Sequence, residues 1–156
     1  MATKKMAIIA TKGALDMAYP PLILASTAAA LGWEVQIFFT FYGLQLLRKD
    51  LSGIAISPIG NPAMPMPVPM PVVVSMLPGM EAMATSMMKA KMKKKGVASL
   101  TELRSVCQEA DVKFIACQMT VDLFEFQKSD FIDAIEYGGA ATFMKFAGES
   151  DVCLFI

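Results

Sequence analysis

The chain has no histidine among its 156 residues. That absence removes Ser-His-Asp and Cys-His catalysis, histidine-ligated zinc and histidine pH switching together. Cysteine is scarce: Cys107, Cys117 and Cys153 are the three, and no CxxC pair occurs. An odd number cannot close into internal disulfides alone. Charge is also scarce, at 18% of residues, with 14 Lys+Arg against 14 Asp+Glu and a formal net charge of zero. A general nucleic-acid binder needs an excess of cations, so no nucleic-acid partner is expected. Weak self-repulsion favours association, so a homo-oligomer is. No GxxxxGK[ST] occurs, and no GxGxxG follows an apolar run, which removes the common phosphate-binding loops. The opening Met1-Ala2-Thr3-Lys4-Lys5 leads into a short apolar stretch with no signal-type cleavage site. A cytoplasmic setting with reduced thiols is the expectation.

What is present is apolar. Hydrophobic residues make up 55%, enough for a packed core in a domain of this length. Lys5 to Thr11 (KMAIIAT) reads as a buried strand ended by Lys12-Gly13. Ala14 to Leu31 reads as a helix closing at Gly32, with Pro20 and Pro21 near its start. Glu34 to Thr40 (EVQIFFT) is a second strand and Phe41 to Lys49 a short helix. Val72-Val73-Val74 is a candidate short strand, and Gly79 to Lys95 a helix with Met80, Met83, Met87 and Met88 at helical spacing. Ser99-Leu100-Thr101-Glu102 fits a capping box that opens the helix carrying Cys107. Val112 to Gln118 is another buried strand, with Thr120 and Asp122 as candidate caps of a following helix. Ser129 to Ile135 and Ala140 to Phe146 read as helices, and Val152 to Ile156 as a closing strand. Strands alternating with helices predict an α/β fold: a parallel sheet of about five strands with helices on both faces.

Ser57 to Pro71 (SPIGNPAMPMPVPMP) stands apart. Proline at nearly every second position forbids helix and favours extended backbone. Residues 57–95 therefore read as an insertion, a Met/Pro-rich loop followed by a basic helix, in one domain spanning 1–156. Met64, Met66 and Met70 invite a copper(I) reading, since thioethers suit that soft ion. An adaptable apolar contact surface, a lid or a subunit interface fits the composition better. No residue from Leu51 to Met80 is charged, and Lys89, Lys91, Lys93, Lys94 and Lys95 follow. Proline interrupts the span repeatedly, which favours an interfacial or subunit-buried loop over a spanning helix; the lysines also fit membrane-surface contact, against the simpler reading of a solvated helix end.

Cys117 is the candidate reactive residue. It lies near the end of a strand, where open parallel sheets gather ligands, and the next helix would aim its N-terminus at the sulfur. The alternative is a buried, inert cysteine. Cys107, on the preceding helix, is an auxiliary thiol or a partly exposed bystander, and Cys153 reads as core. Lys12, Gly13 and Thr120 are candidates for an anion pocket at the same end of the sheet, with an ordinary turn as the alternative for Lys12-Gly13. No metal site is indicated.

These segments resemble the DsrE/DsrF-like sulfur-relay family across essentially the whole chain. The likeness rests on KMAIIATKGALDMAYPPLILA, EVQIFFTFYGLQLL, MPMPVPMP and ACQMTVDLF. The last two point to the larger subgroup with a methionine-proline loop, often labelled peroxiredoxin-like, although the peroxiredoxin pattern around its cysteine is absent. The resemblance implies a flavodoxin-like parallel sheet in a homo-oligomer. It implies sulfur carriage or sulfurtransferase activity with persulfide or thiosulfonate sulfur on Cys117, and no cofactor. It also implies exchange with a small TusA-type sulfur-carrier protein or a rhodanese-like donor. The competing expectation is a non-catalytic protein- or membrane-binding module that uses the apolar loop.

Overall fold

The structure is a computed structural model that describes residues 3–58, 67–68 and 71–156. Met64, Met66 and Met70, and with them the core of the Met/Pro segment, lie outside those residues.

Lys5–Ala10 forms β1, buried on both faces as a central parallel strand requires. Leu15–Ala30 forms α1, and Glu34–Phe39 forms β2. A 3-10 helix, Phe41–Leu47, follows. Val72–Ser75 is α2, Met80–Lys94 is α3, and Leu100–Glu109 is α4. Lys113–Cys117 is β3, Gln118–Leu123 is α5, and Glu136–Gly138 is β4. Ala140–Ala147 is α6, and Val152–Phe155 is β5. All strand pairs are parallel, in the order β4-β3-β2-β1-β5. The parallel α/β sheet is as expected. Its order reverses at β1/β5, whereas flavodoxin itself runs 2-1-3-4-5.

The sheet separates two apolar layers. Met6, Ile8, Ala10, Val35, Ile37, Phe39, Phe114 and Ala116 face α1 and α4, with Leu22, Leu100 and Cys107 in the same cluster. Ala7, Phe38, Ile115 and Cys117 face Phe143 of α6. Full burial of each large aliphatic side chain contributes about 1.5–3 kcal/mol.

Several local expectations change. Pro20 and Pro21 lie inside α1 rather than at its start. Each proline removes the amide that would bond four residues back, yet the helix persists. Ala18, Leu22, Ala25 and Ala28 bury one continuous stripe on the sheet, and the Leu15 amide is anchored on the Ala55 carbonyl at 2.7 Å. Val72-Val73-Val74 is a helical turn, not a strand. The fifth strand is instead β4, in a stretch read as following a helix. Ser129 to Ile135 holds only a single 3-10 turn, Lys128–Asp130. The capping box is confirmed: the Glu102 amide donates to Ser99 Oγ at 3.2 Å, and the Ser99 amide donates to Glu102 Oε2 at 2.7 Å.

Candidate functional site

Cys117 closes β3 and is itself the N-cap of α5. The strand turns into the helix at the cysteine, so the first amides of α5 meet its sulfur. Thr120, expected as a cap, lies inside α5 and is fully buried. Its hydroxyl sits 3.2 Å from that of Thr40 and accepts the Phe41 amide at 3.3 Å. Thr40 follows β2, which pairs with β3 in a register ending at Phe39 opposite Ala116. Thr40 and Cys117 are therefore neighbours at the carboxyl edge of the sheet.

This arrangement sets the thiol's ionisation. Burial alone pushes the Cys117 thiol up. Hydrogen bonds from the Thr120 hydroxyl and amide, the Thr40 hydroxyl and the Met119 amide outweigh it and hold the thiol below its ordinary value. These donors are uncharged. The thiolate is stabilised by directed dipoles rather than by a neighbouring cation.

Cys117 is 4% exposed, and the surface above it is apolar. Met119 and Leu123 of α5 are 61% and 60% exposed, and Phe41 and Tyr42 stand out beside them. Phe124 stacks on Tyr42 at 6.0 Å and meets Phe41 edge-on at 6.4 Å. The sulfur lies at the base of an apolar rim with hydroxyl and amide donors beneath.

The other candidates do not converge on it. Cys107 is wholly buried between α4 and α1, with its thiol donating to the Leu22 carbonyl at 3.3 Å. Burial pushes it up to about 11, against a smaller lowering by the Ser26 backbone. It is a core thiol, more buried than a bystander on a helix face would be. Cys153, read as core, is exposed, because β5 is an edge strand and, among the described residues, α6 packs on β1 and β4 rather than on β5. Lys12 is exposed two strands along the sheet from Cys117, roughly 10 Å at ordinary strand spacing. Gly13 serves packing: a Cβ there would meet the Tyr42 carbonyl oxygen at 2.4 Å.

The residue missed from sequence is Thr40. Its signal is its place directly after the second strand, as Cys117 closes the third. A cleft of about 960 Å³ lined by Tyr19, Lys49, Lys93 and Glu102 does not include Cys117. No group of three His, Cys, Asp or Glu side chains placed to hold a metal ion occurs among the described residues.

Fold and site together define a parallel α/β domain with a thiol held below its ordinary value at the carboxyl edge of its sheet. Residues 2–155 match the DsrE/DsrF/DrsH-like family, and the chain belongs to it. It is 66% identical over 160 residues to the sulfur carrier protein DsrE2 of Allochromatium vinosum, with both chains fully covered. It is 36% identical over 159 residues to the uncharacterized protein YrkE of Bacillus subtilis, covering 99% of this chain and 98% of that one. Among solved structures it is similar to the ychN protein of E. coli, with a TM-score of 0.56 at 11% identity over 99% of this chain and 100% of that one. That last likeness is one of fold.

Proposed function

We propose that this chain is a sulfur carrier in which Cys117 accepts and passes on sulfane sulfur. The observation that carries the reading is the donor set around Cys117, which favours the nucleophilic thiolate without a base. The end-to-end likeness to a protein named as a sulfur carrier supports it. The Cys117 thiolate attacks the outer sulfur of a donor persulfide R–S–SH. A new S–S bond forms at Cys117, the donor's S–S bond breaks, and R–S⁻ leaves. No electron is gained or lost overall. The same step with a second thiolate hands the sulfur on. Its rate follows thiolate fraction, leaving-group pKa and access, so a chain without histidine is not handicapped. In this reading the donor or acceptor is a small TusA-type carrier or a rhodanese-like protein, and the chain works in the cytoplasm as a homo-oligomer.

The test is intact mass after reduced protein meets glutathione persulfide, on wild type and on Cys107→Ser, Cys117→Ser and Cys153→Ser. The added sulfur is expected to vanish with Cys117→Ser and survive the other two. Loading of Cys117→Ser equal to wild type would sink the proposal.

A second reading, contact with an anionic membrane surface, is favoured by the outer side of α3. Met83 and Met87 are exposed there, one turn apart, beside exposed Val73, Met76 and Leu77 of the preceding turn. Exposed Lys91, Lys93, Lys94 and Lys95 end the helix. Among the described residues no helix is long and apolar enough to cross a membrane.

A further inference from the structure

We infer that the outer face of α1 is the surface through which two copies of this chain pair, helix against helix about a two-fold axis. The inference rests on the homo-oligomeric reading above and names the face that builds it; sulfur carriage by Cys117 does not depend on it.

No charged residue occurs from Met17 to Trp33. A helix on the outside of an α/β domain ordinarily buries one stripe and turns a charged or polar face to water. α1 buries its first stripe on the sheet through Ala18, Leu22, Ala25 and Ala28. Pro20, Leu24, Thr27 and Leu31 form a second stripe on the opposite side, spaced by four, three and four residues, which holds it nearly parallel to the helix axis. Leu24 and Leu31 are exposed, Leu31 by 69%, and exposed Ile23 flanks them. The hydroxyl on the stripe belongs to Thr27, and it donates to the Ile23 carbonyl at 2.7 Å; that of Ser26 does the same at 3.0 Å. Both protons are committed within the helix, so covering this face strands neither. Asp16, the one acid of the helix, accepts the Ser57 amide at 2.7 Å.

Charge and shape decide what covers the face. No lysine or arginine lies on α1, so it lacks the cations that draw an apolar helix to an anionic lipid surface, in contrast to α3. It also lacks the charges that steer a different protein into register. A second copy of the same stripe brings nothing to repel it. Set antiparallel, with the axis passing between Leu24 and Thr27, the stripe is complementary to itself. Leu24 then meets the partner's Thr27, and Leu31 meets the partner's Pro20. Each large side chain faces a smaller one, as close packing of two helices requires. α1 lies on the side of the sheet that buries Cys107, whereas Cys117 belongs to the cluster on the other side. Pairing through α1 therefore leaves the sulfur site unsealed.

The test is the mass of the full chain in solution, by size exclusion with light scattering, for wild type and for Leu24→Lys with Leu31→Lys. The variant should halve the wild-type mass, as loss of a two-fold contact does. It should weaken association about a hundredfold, about tenfold for each leucine removed from an apolar contact. Sulfur loading at Cys117 should stay at the wild-type level. A second measurement leaves both leucines in place. In a Cys117→Ser, Cys153→Ser background, a short bismaleimide should join Thr27→Cys chains into a covalent dimer and should leave Met83→Cys chains single. A monomeric wild type overturns the inference together with the homo-oligomeric reading. Unchanged mass in the leucine variant, or a covalent dimer through Met83→Cys and not through Thr27→Cys, overturns the inference alone. With unchanged mass, a lowered melting temperature assigns the cover of α1 to another segment of this chain, and lost vesicle binding assigns it to a membrane.

Discussion

Three thiols in one small domain differ because of what surrounds each sulfur. Cys117 sits where a strand becomes a helix and collects amide and hydroxyl donors. Cys107 sits among apolar side chains and stays protonated at neutral pH, its thiol pushed up to about 11 by burial. Cys153 stands in solvent at the sheet edge. Brief treatment of the native protein with a thiol reagent should therefore label Cys153 and Cys117 and leave Cys107 untouched until the chain is unfolded, as peptide mapping would reveal. Labelling of Cys107 at the same rate as Cys153 in the native state would contradict its burial. Because the Cys117 thiol is held below its ordinary value, its labelling should persist to lower pH than that of the same cysteine in denaturant. The place of Cys117 was legible from sequence, since an apolar run followed by polar residues marks a strand end. Thr40 was not, because its partnership with Thr120 depends on which strands lie side by side, a fact about pairing across 80 residues of chain. Cys153 misled because VCLFI is as apolar as a central strand, and composition alone does not say that a strand lies at an edge.

At the level of elements, the segment after β2 is fixed from both sides. Arg104 of α4, itself buried, donates to the carbonyls of Leu46 and Arg48 at 2.8 and 2.6 Å, closing the end of the 3-10 helix. Gly43 presses the start of that helix against β1. Gly43→Ala forces backbone into backbone, since the added carbon would lie 2.1 Å from the Ala10 oxygen and 2.8 Å from its carbon. It should cost about 3 kcal/mol, the upper end for overpacking, and should also slow alkylation of Cys117 by displacing Phe41 and Thr40. Gly53→Ala is the control: a Cβ there meets nothing within 4 Å, and the loss of unfolded-state freedom should leave stability unchanged or raise it by about 0.4–1 kcal/mol. Urea melts of the two variants decide the matter. The capping box, the glycine after α1 and the two central strands were legible because each is written in local chemistry. β4 was not. Three residues, Glu136–Gly138, hold no apolar run, and their pairing with Ile115, Ala116 and Cys117 is what makes them a strand. Val72-Val73-Val74 erred in the opposite sense: β-branched residues favour strands when half-buried on a sheet, and Val73 is exposed on a helical turn.

The whole molecule is electrically neutral yet unevenly charged. Five of its 14 basic residues fall within Lys89–Lys95, while Leu51–Met80 carries no charge and Glu81 is the one acid between Leu51 and Lys95. α3 is apolar on two sides. Met80, Ala84, Met88 and Met92 pack on the core, while Met83 and Met87 face outward. A helix with a core-facing stripe needs no second one for folding, and in the membrane-contact reading the outer methionines supply the apolar part of the surface and the adjoining lysines the match to an anionic one. Full-length protein should co-sediment with phosphatidylglycerol/phosphatidylcholine vesicles and not with phosphatidylcholine alone, and added salt should release it as charges are screened. At about 1 kcal/mol for each lysine near an anionic surface, Lys91→Gln with Lys94→Gln should weaken binding about thirtyfold. Met83→Ser with Met87→Ser should weaken it in both low and high salt, because that contribution is apolar. Sulfur loading at Cys117 should survive all four substitutions, since none lies near the carboxyl edge of β3. Equal sedimentation with neutral vesicles would remove the electrostatic part of the reading. A change of oligomeric state on Met83→Ser with Met87→Ser, with no vesicle binding by wild type, would assign the stripe to a subunit interface instead.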